Sequence, residues 1–260
     1  MHDNITYWGI LFIAILVIPE LVLNRTLGIK SNRQTIIAVV RSVIQLSIVG
    51  LYLQFIFDLN NKLLNVAYIL IMMSVAGISA VRSSNLKLRE LFIPVFFSIL
   101  VTNFPMVLYF NTIVLRLSDV WDAQYLITIG GMLLGNVLKG NIVGLTAYYT
   151  GIKNNHERFC YDLAMGASVF GATKPYLRDA INLAIQPTIS TMETIGLVSL
   201  PGMMTGQILG GSVPMEAILY QIAIMIAIYV VRYLNVILSI LFTQQVMFDD
   251  RDMLRLENFR

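Results

Sequence analysis

Charge is scarce in this 260-residue sequence. Asp, Glu, Lys and Arg make up 13% of it, against about 25% in an ordinary soluble domain. Half the usual charge cannot cover a water-facing surface, which excludes a soluble globular enzyme. Cysteine occurs once, at Cys160, so no internal disulfide can form and the redox compartment is unreadable. Histidine occurs twice, at His2 and His156, both outside the long apolar stretches. An HExxH zinc motif and an in-membrane Ser–His pair are thereby excluded. No Lys or Arg precedes Arg25, whereas a secretory signal peptide opens on a positive region. The first apolar run is expected to be retained. The net charge of +3 is small and dispersed, which argues against nucleic acid as a partner.

What is present in quantity is apolar sequence. The residues AVILMFWYC account for 57%, which also excludes disorder. A spanning helix needs roughly 20 mainly apolar residues to cross about 30 Å of hydrocarbon. Seven stretches meet that length, near 5–23, 35–57, 63–81, 91–115, 124–147, 187–210 and 214–247. The last is too long for one straight span, so it is expected to tilt or to continue into water. The expected architecture is all-α and polytopic, one transmembrane domain over residues 1–260.

Positive charge between these stretches falls on one side. Arg25, Lys30, Arg33, Arg82, Lys87, Arg89, Lys153, Arg158, Lys174, Arg178, Arg251, Arg255 and Arg260 share that side, and only Lys62 and Arg116 take the other. The positive-inside rule places the rich side in the cytoplasm. Seven spans then put the N-terminus outside and the C-terminus inside.

The segment near 148–186 stands apart because the other connections are short. Apolar residues recur there at helical spacing between charges, as in Leu177, Ile181, Ala184 and Ile185. It reads as short amphipathic helices at the membrane surface. Such helices serve either as a connector lying in the headgroups or as a docking surface for a cytoplasmic partner.

Glycines cluster in the fifth and sixth stretches. Gly131/Gly135, Gly140/Gly144, Gly202/Gly206 and Gly206/Gly210 have the four-residue spacing that lets helix backbones approach closely. Tight packing explains most of this. Helices that slide or rock against each other would use the same stripes. No phosphate loop is present. Gly135–Gly140 supplies GxxxxG, but Asn141 stands where the lysine must be, inside an apolar run. The chain is therefore not itself an ATPase. Gly210-Gly211-Ser212-Val213-Pro214 lacks the last glycine of GxSxG, and Ser84–Lys87 matches only the weak pattern SxxK. No covalent chemistry is expected.

Arg41, Lys139, Glu193 and Arg232 are ionisable residues that fall inside predicted spans. A mid-bilayer charge costs about 2.5–3.5 kcal/mol on insertion scales, so such residues face a partner or water. Arg41 can snorkel out of the membrane. Arg232 sits near the middle of the longest stretch, and Glu193 precedes a break at Pro201-Gly202; whether the two meet is open at this level. Asn103, Asn136, Asn141, Gln207 and Asn235 add polar groups, whose commoner role is hydrogen bonding between helices. Broken helices near the midplane are frequent at transport sites. The transport-pathway candidates are therefore Asn136, Asn141, Glu193, Pro201, Gly202, Met203, Met204 and Arg232. Thioether sulfur can bind soft metals, although methionine also fills packing gaps. Met132, Met203 and Met204 are the minority candidates for a metal pathway.

Several stretches together resemble a known family. GLVSLPGMMTGQILGG (196–211) is followed by Pro214–Ile218 and Tyr220-Gln221-Ile222. Further matches are Gly131–Asn136, the run from Met165-Gly166-Ala167 through Arg178-Asp179-Ala180 to Pro187-Thr188, and Arg41–Leu46. This pattern resembles the FetB-type permeases, membrane subunits of a bacterial ABC-type iron exporter, to which plant aluminium-tolerance permeases are related.

The resemblance implies an inner-membrane permease that pairs with a second copy of itself and with a separate cytoplasmic ABC ATPase, which binds ATP and Mg. It implies a coupling helix at 160–180, with Asp162, Met165, Gly166, Ala167, Gly171 and Arg178 as coupling residues. The match to the importer EAA loop is partial: Ala167, Gly171, Ile181 and Leu183 fit, while Met165 and Ala184 replace its Glu and Pro. The family commonly has an acid where Ser190 stands and lysine where Glu193 stands.

The expected function is the permease half of an ATP-driven exporter of iron or another metal ion. The alternative is a secondary transporter of a small solute, driven by an ion gradient with Glu193 and Arg232 as coupling charges. An intramembrane enzyme lacks any nucleophile–base set.

Overall fold

The computed structural model describes residues 7–249 and 252–259. All regular structure among them is helical, apart from three isolated bridges. The chain divides into two compact units, Met1–Leu59 and Asn60–Arg260.

The first unit holds α1 (Tyr7–Ile15), α2 (Val17–Thr26) and α3 (Asn32–Leu59). The single helix expected over 5–23 is thus two short ones in succession. Pro19 explains the interruption. It has no N–H to give the Ile15 carbonyl, and its ring crowds that carbonyl, so α1 ends at Ile15. Residues 5 and 6 lie outside the described residues. The turn into α3 is tied by Asn32, whose side-chain amide donates to the Leu21 carbonyl at 2.8 Å.

The second unit contains α4 (Lys62–Ser83), α5 (Leu88–Tyr109, continued by a π-turn at Phe110–Val114), α6 (Ala123–Asn154), α7 (His156–Ala164), α8 (Val169–Thr194), α9 (Gly202–Leu209) and α10 (Pro214–Met247). Among the described residues five helices are long and apolar enough to cross a membrane: α3, α4, α5 with its π-turn, α6 and α10. At 1.5 Å per residue, α6 and α10 are about 48 and 51 Å long, so each overruns the hydrocarbon.

Helix α6 is the hub. It packs against α4, α5, α8 and α10, and α10 also meets α5, α8 and α9. Two glycines let α6 and α10 come close. A Cβ on Gly140 would lie 2.8 Å from Arg232 Cγ, and one on Gly144 would lie 2.7 Å from Val236 Cγ1. Polar contacts tie α10 to α5 and to α6. Asn235 Nδ2 donates to Thr102 Oγ1 at 2.7 Å, and Tyr149 OH donates to Thr243 Oγ1 at 2.7 Å. Such interhelical bonds in membranes average about 0.6 kcal/mol each, so they fix register more than they add stability.

Each end of this unit is laced by its own contacts. At one, Asn60 Nδ2 donates to Asp122 Oδ2, the Ala123 N–H donates to Asn60 Oδ1, and Lys62 Nζ lies 3.1 Å from Asp119 Oδ2. The Trp121 N–H donates to Asp119 and, with Lys62, holds its carboxyl below the ordinary value of 3.8. The depressed value means that Asp119 stabilises the fold fully above pH 3.8 and loses that contribution as pH falls through its folded pKa. Asp119→Asn should therefore lower the melting temperature at neutral pH, and the gap to wild type should close in acid; melting in detergent across pH checks this.

At the other end, residues 248–249 and 252–259 lie over the α4–α5 turn. The Arg255 N–H donates to the Met247 carbonyl and the Lys87 N–H to the Asn258 carbonyl. The Phe259 ring packs edge-on against Tyr149, with Lys153 Nζ 4.8 Å from its centroid.

The region 148–186 differs from its expected form. Only α7 is a separate short helix, while α8 runs unbroken from Val169 to Thr194 and joins this region to the expected sixth span. Pro175 and Pro187 lie within α8 and do not end it. The break in the sixth span is also earlier and wider than Pro201-Gly202. Helix α8 stops at Thr194, residues 195–201 form a tight turn with a bridge between Ile195 and Ser199, and Pro201 is the N-cap of α9. Gly196 adopts φ +81° there, a backbone state that other residues enter only with strain.

Candidate functional site

A cavity of about 520 Å³ opens between α6, α8, α9 and α10. Its walls follow helical periodicity. Met132, Asn136 and Lys139 come from one face of α6; Pro187, Thr188 and Thr191 from α8; Gln221, Met225, Ile228 and Arg232 from one face of α10. Pro201 and Met203 close it from the α8–α9 break.

Arg232 is the dominant group. Its residue is only 6% exposed. Nη1 donates to Thr188 Oγ1 at 2.8 Å, and Nε has no partner. A charge so placed in a membrane is costly, and structure retains it only where it faces a cavity, water or a ligand. Gln221, also 6% exposed, leaves its Oε1 unpaired. Asn136 turns its amide back to the Met132 carbonyl at 3.0 Å. Lys139 is exposed. The position of Gly140 sets that of Arg232, because a Cβ there would lie 3.0 Å from Arg232 Nε.

The structure gathers Met132, Asn136, Pro201, Met203 and Arg232 at this cavity, and it places the remaining pathway candidates elsewhere. Asn141 is fully buried away from the lining, with both amide atoms unpaired. Glu193 is exposed at the end of α8 and does not pair with Arg232, whose guanidinium goes to Thr188 instead. Gly202 has open space around it and Met204 is buried; neither lines the cavity. Lys139, Thr188, Thr191, Gln221 and Met225 are additions. Their signal was spacing: 132/136/139 and 221/225/228/232 each repeat at three and four residues, which marks one helix face. Of the metal candidates, Met132 and Met203 reach the cavity, joined by Met225. Among the described residues no group of three or more His, Cys, Asp or Glu side chains could hold a metal ion.

The second feature is the corner between α7 and α8. Helix α7 ends in a Schellman turn: the Ala167 N–H donates to the Asp162 carbonyl, and the Gly166 N–H to that of Leu163. Gly166 takes φ +91°, as that turn requires. Ser168 then caps α8 by accepting from the Gly171 N–H at 3.2 Å. Phe159 anchors the corner, fully buried and packed 5.8 Å from the Phe248 ring. Tyr161, Met165 and Phe170 stand out from it, each more than half exposed, beside exposed Ala167, Gly171 and Arg178 and half-buried Asp162. One rod links the two features. From Gly171 to Thr188, α8 covers about 26 Å without interruption.

The chain is similar to several known proteins. It is 32% identical over 211 residues to Protein ALUMINUM SENSITIVE 3 of Arabidopsis thaliana, covering 81% of this chain and 76% of that protein. It is 31% identical over 210 residues to the UPF0014 membrane protein slr1647 of Synechocystis, covering 81% of each. It is 28% identical over 253 residues to the Probable iron export permease protein FetB of Escherichia coli, covering 96% of this chain and 95% of that one. No solved structure matches it. The family described as "Uncharacterised protein family (UPF0014)" matches residues 7–248, and with five long apolar helices in its fold this chain is a multi-pass membrane protein of that family.

Proposed function

We propose that this chain is the permease subunit of an ATP-driven exporter in the cell (inner) membrane, working as two copies with a separate cytoplasmic ATPase, with iron or another metal as cargo. The observation that carries the reading is the continuity of α8, whose first turn forms the exposed corner and whose last turns line the cavity. A push on Gly171 is transmitted along a stiff helix to Thr188 and so to Arg232. The Lys/Arg asymmetry puts the corner in the cytoplasm, with the N-terminus outside and the C-terminus inside. ATP and Mg belong to the ATPase, and closure of its two copies drives the corner. The likeness to the FetB protein supports export and iron.

A second copy is supported by the α8–α9 turn. Leu197, Val198 and Leu200 are 88%, 81% and 58% exposed on non-helical backbone. Irregular backbone at membrane depth is tolerated against protein or water, not lipid. The alternative, a gradient-driven transporter, has Glu193 and Arg232 as its coupling charges; Arg232 bonds Thr188 at the cavity while Glu193 is exposed at the end of α8.

The test is transport in proteoliposomes holding the permease and the ATPase together. Ala167→Arg and Gly171→Arg put a long cation on the exposed corner, where a Cβ on Gly171 meets nothing closer than 3.4 Å. Both should leave the melting temperature unchanged and lower ATP-driven transport about tenfold or more, the loss expected for one blocked interface hot spot. Unchanged transport would overturn the coupling role. Protonophore-sensitive transport by the chain without any ATPase would replace it with the gradient-driven reading.

A further inference from the structure

The cavity carries positive charge and no negative charge. Among the described residues Arg232 and Lys139 line it, and no Asp, Glu, His or Cys does. Glu193 lies two residues beyond Thr191, the last lining position of α8, Glu216 precedes the first on α10, and neither reaches the lining. Arg232 is nine-tenths buried with Nε unsatisfied, and Lys139 has no hydrogen-bond or ion-pair partner among the described residues. Gln221 leaves its amide end unengaged at Oε1, and a side-chain amide can be turned to present either acceptor or donors. A bare multivalent cation entering here would meet two like charges and only neutral ligands. An oxygen anion would meet a guanidinium edge, an ammonium group and an amide.

We propose that the cavity accepts an anion: a small multivalent oxygen anion of carboxylate or phosphate type, either free or enclosing a metal ion in a chelate of net negative charge. The proposal rests on the permease reading and specifies its cargo. Arg232 is the principal contact, since a guanidinium offers a planar edge of donors to such oxygens. Lys139 adds charge at the mouth. Met132, Met203 and Met225 form the apolar wall.

A lipid headgroup carries the same phosphate chemistry, so the test separates the two sources. The full-length protein is placed in phosphatidylcholine nanodiscs and titrated calorimetrically with pyrophosphate, with citrate and with ferrous ion alone. Pyrophosphate and citrate should bind and ferrous ion should not. Arg232→Gln should weaken both anions about tenfold or more, the range for a hydrogen bond to a charged group, and Arg232→Lys should restore part of the loss. Lys139→Gln gives a second variant whose exposed side chain is not needed for packing, and it should weaken both anions as well. Adding phosphatidylglycerol to the disc should leave both affinities unchanged.

Three results would overturn the proposal. One is anion affinity untouched by either substitution. Another is ferrous ion binding where neither anion binds. The third is loss of the free-anion signal once phosphatidylglycerol is present, which would make the occupant a lipid headgroup. No ATPase takes part in this titration. Failure here leaves the coupling reading standing, and failure of the corner variants above leaves this one standing.

Discussion

Replacing Gly144 by leucine should leave a protein that does not assemble the second unit. The built Cβ already lies 2.7 Å from Val236 Cγ1 and 3.7 Å from Ala184 Cβ, and both neighbours are fully buried. Valine is stiff at χ1 and cannot swing aside. Overpacking a well-filled core costs about 1–3 kcal/mol for added methylenes, and sometimes more. Leucine adds three carbons beyond the Cβ, directed into both α10 and α8. Gly144→Ala is the milder case, because part of its clash is offset by the better helix propensity of alanine, up to about 1 kcal/mol. Gly135→Leu is the control. It has the same residue type in the same helix, yet nothing stands within 4 Å of its Cβ. Fluorescence-detected size exclusion should show a monodisperse peak for the Gly135 variant and aggregated material for Gly144→Leu. Equal behaviour of the two would refute the close approach of α6 and α10.

Arg232→Met should separate stability from transport. The guanidinium makes a single hydrogen bond, to Thr188, and sits at a depth where a charge costs about 2.5–3.5 kcal/mol. Methionine fills a similar volume without that cost, so the melting temperature in detergent should stay level or rise. ATP-driven transport should fall by about tenfold to a hundredfold, the loss of one charge-assisted contact. A lower melting temperature with unchanged transport per folded molecule would make Arg232 a structural residue.

These two positions also show what was legible in the sequence. Hydropathy located α3, α4, α5, α6 and α10 because apolar length is what a bilayer selects. It could not see continuity. The interruption at Leu16 was written in Pro19, four residues past the carbonyl that proline leaves bare, yet the stretch has the right length and so reads as one span. The sixth stretch shows the opposite error: its expected start at residue 187 falls inside α8, which runs through Pro187 and packs against α6 and α10. The GxxxG pattern marked Gly135 and Gly144 alike, and only the packed neighbour distinguishes them.

The cavity was half legible for a related reason. Residue chemistry singled out Asn136, Pro201, Met203 and Arg232. Which polar groups share a face depends on helix phase, and reading the 221/225/228/232 spacing would have added Gln221 and Met225. Whether Glu193 meets Arg232 was open in the sequence, because proximity along the chain to the break says nothing of distance across it; α8 leaves Glu193 exposed at its end while Arg232 bonds Thr188. Asn141 is five residues after Asn136, which turns it away from the same face of α6.

The contact between Lys87 and Asn258 carries a consequence for biogenesis. Synthesis runs from the N-terminus, so the α4–α5 hairpin leaves the ribosome and enters the membrane well before residues 248–259 exist. The Lys87 amide waits without its Asn258 partner through the insertion of every helix from α6 to α10, and the Tyr149 ring, on α6, waits for Phe259 through those that follow. That end of the unit is completed only when Phe259 and its neighbours settle into place.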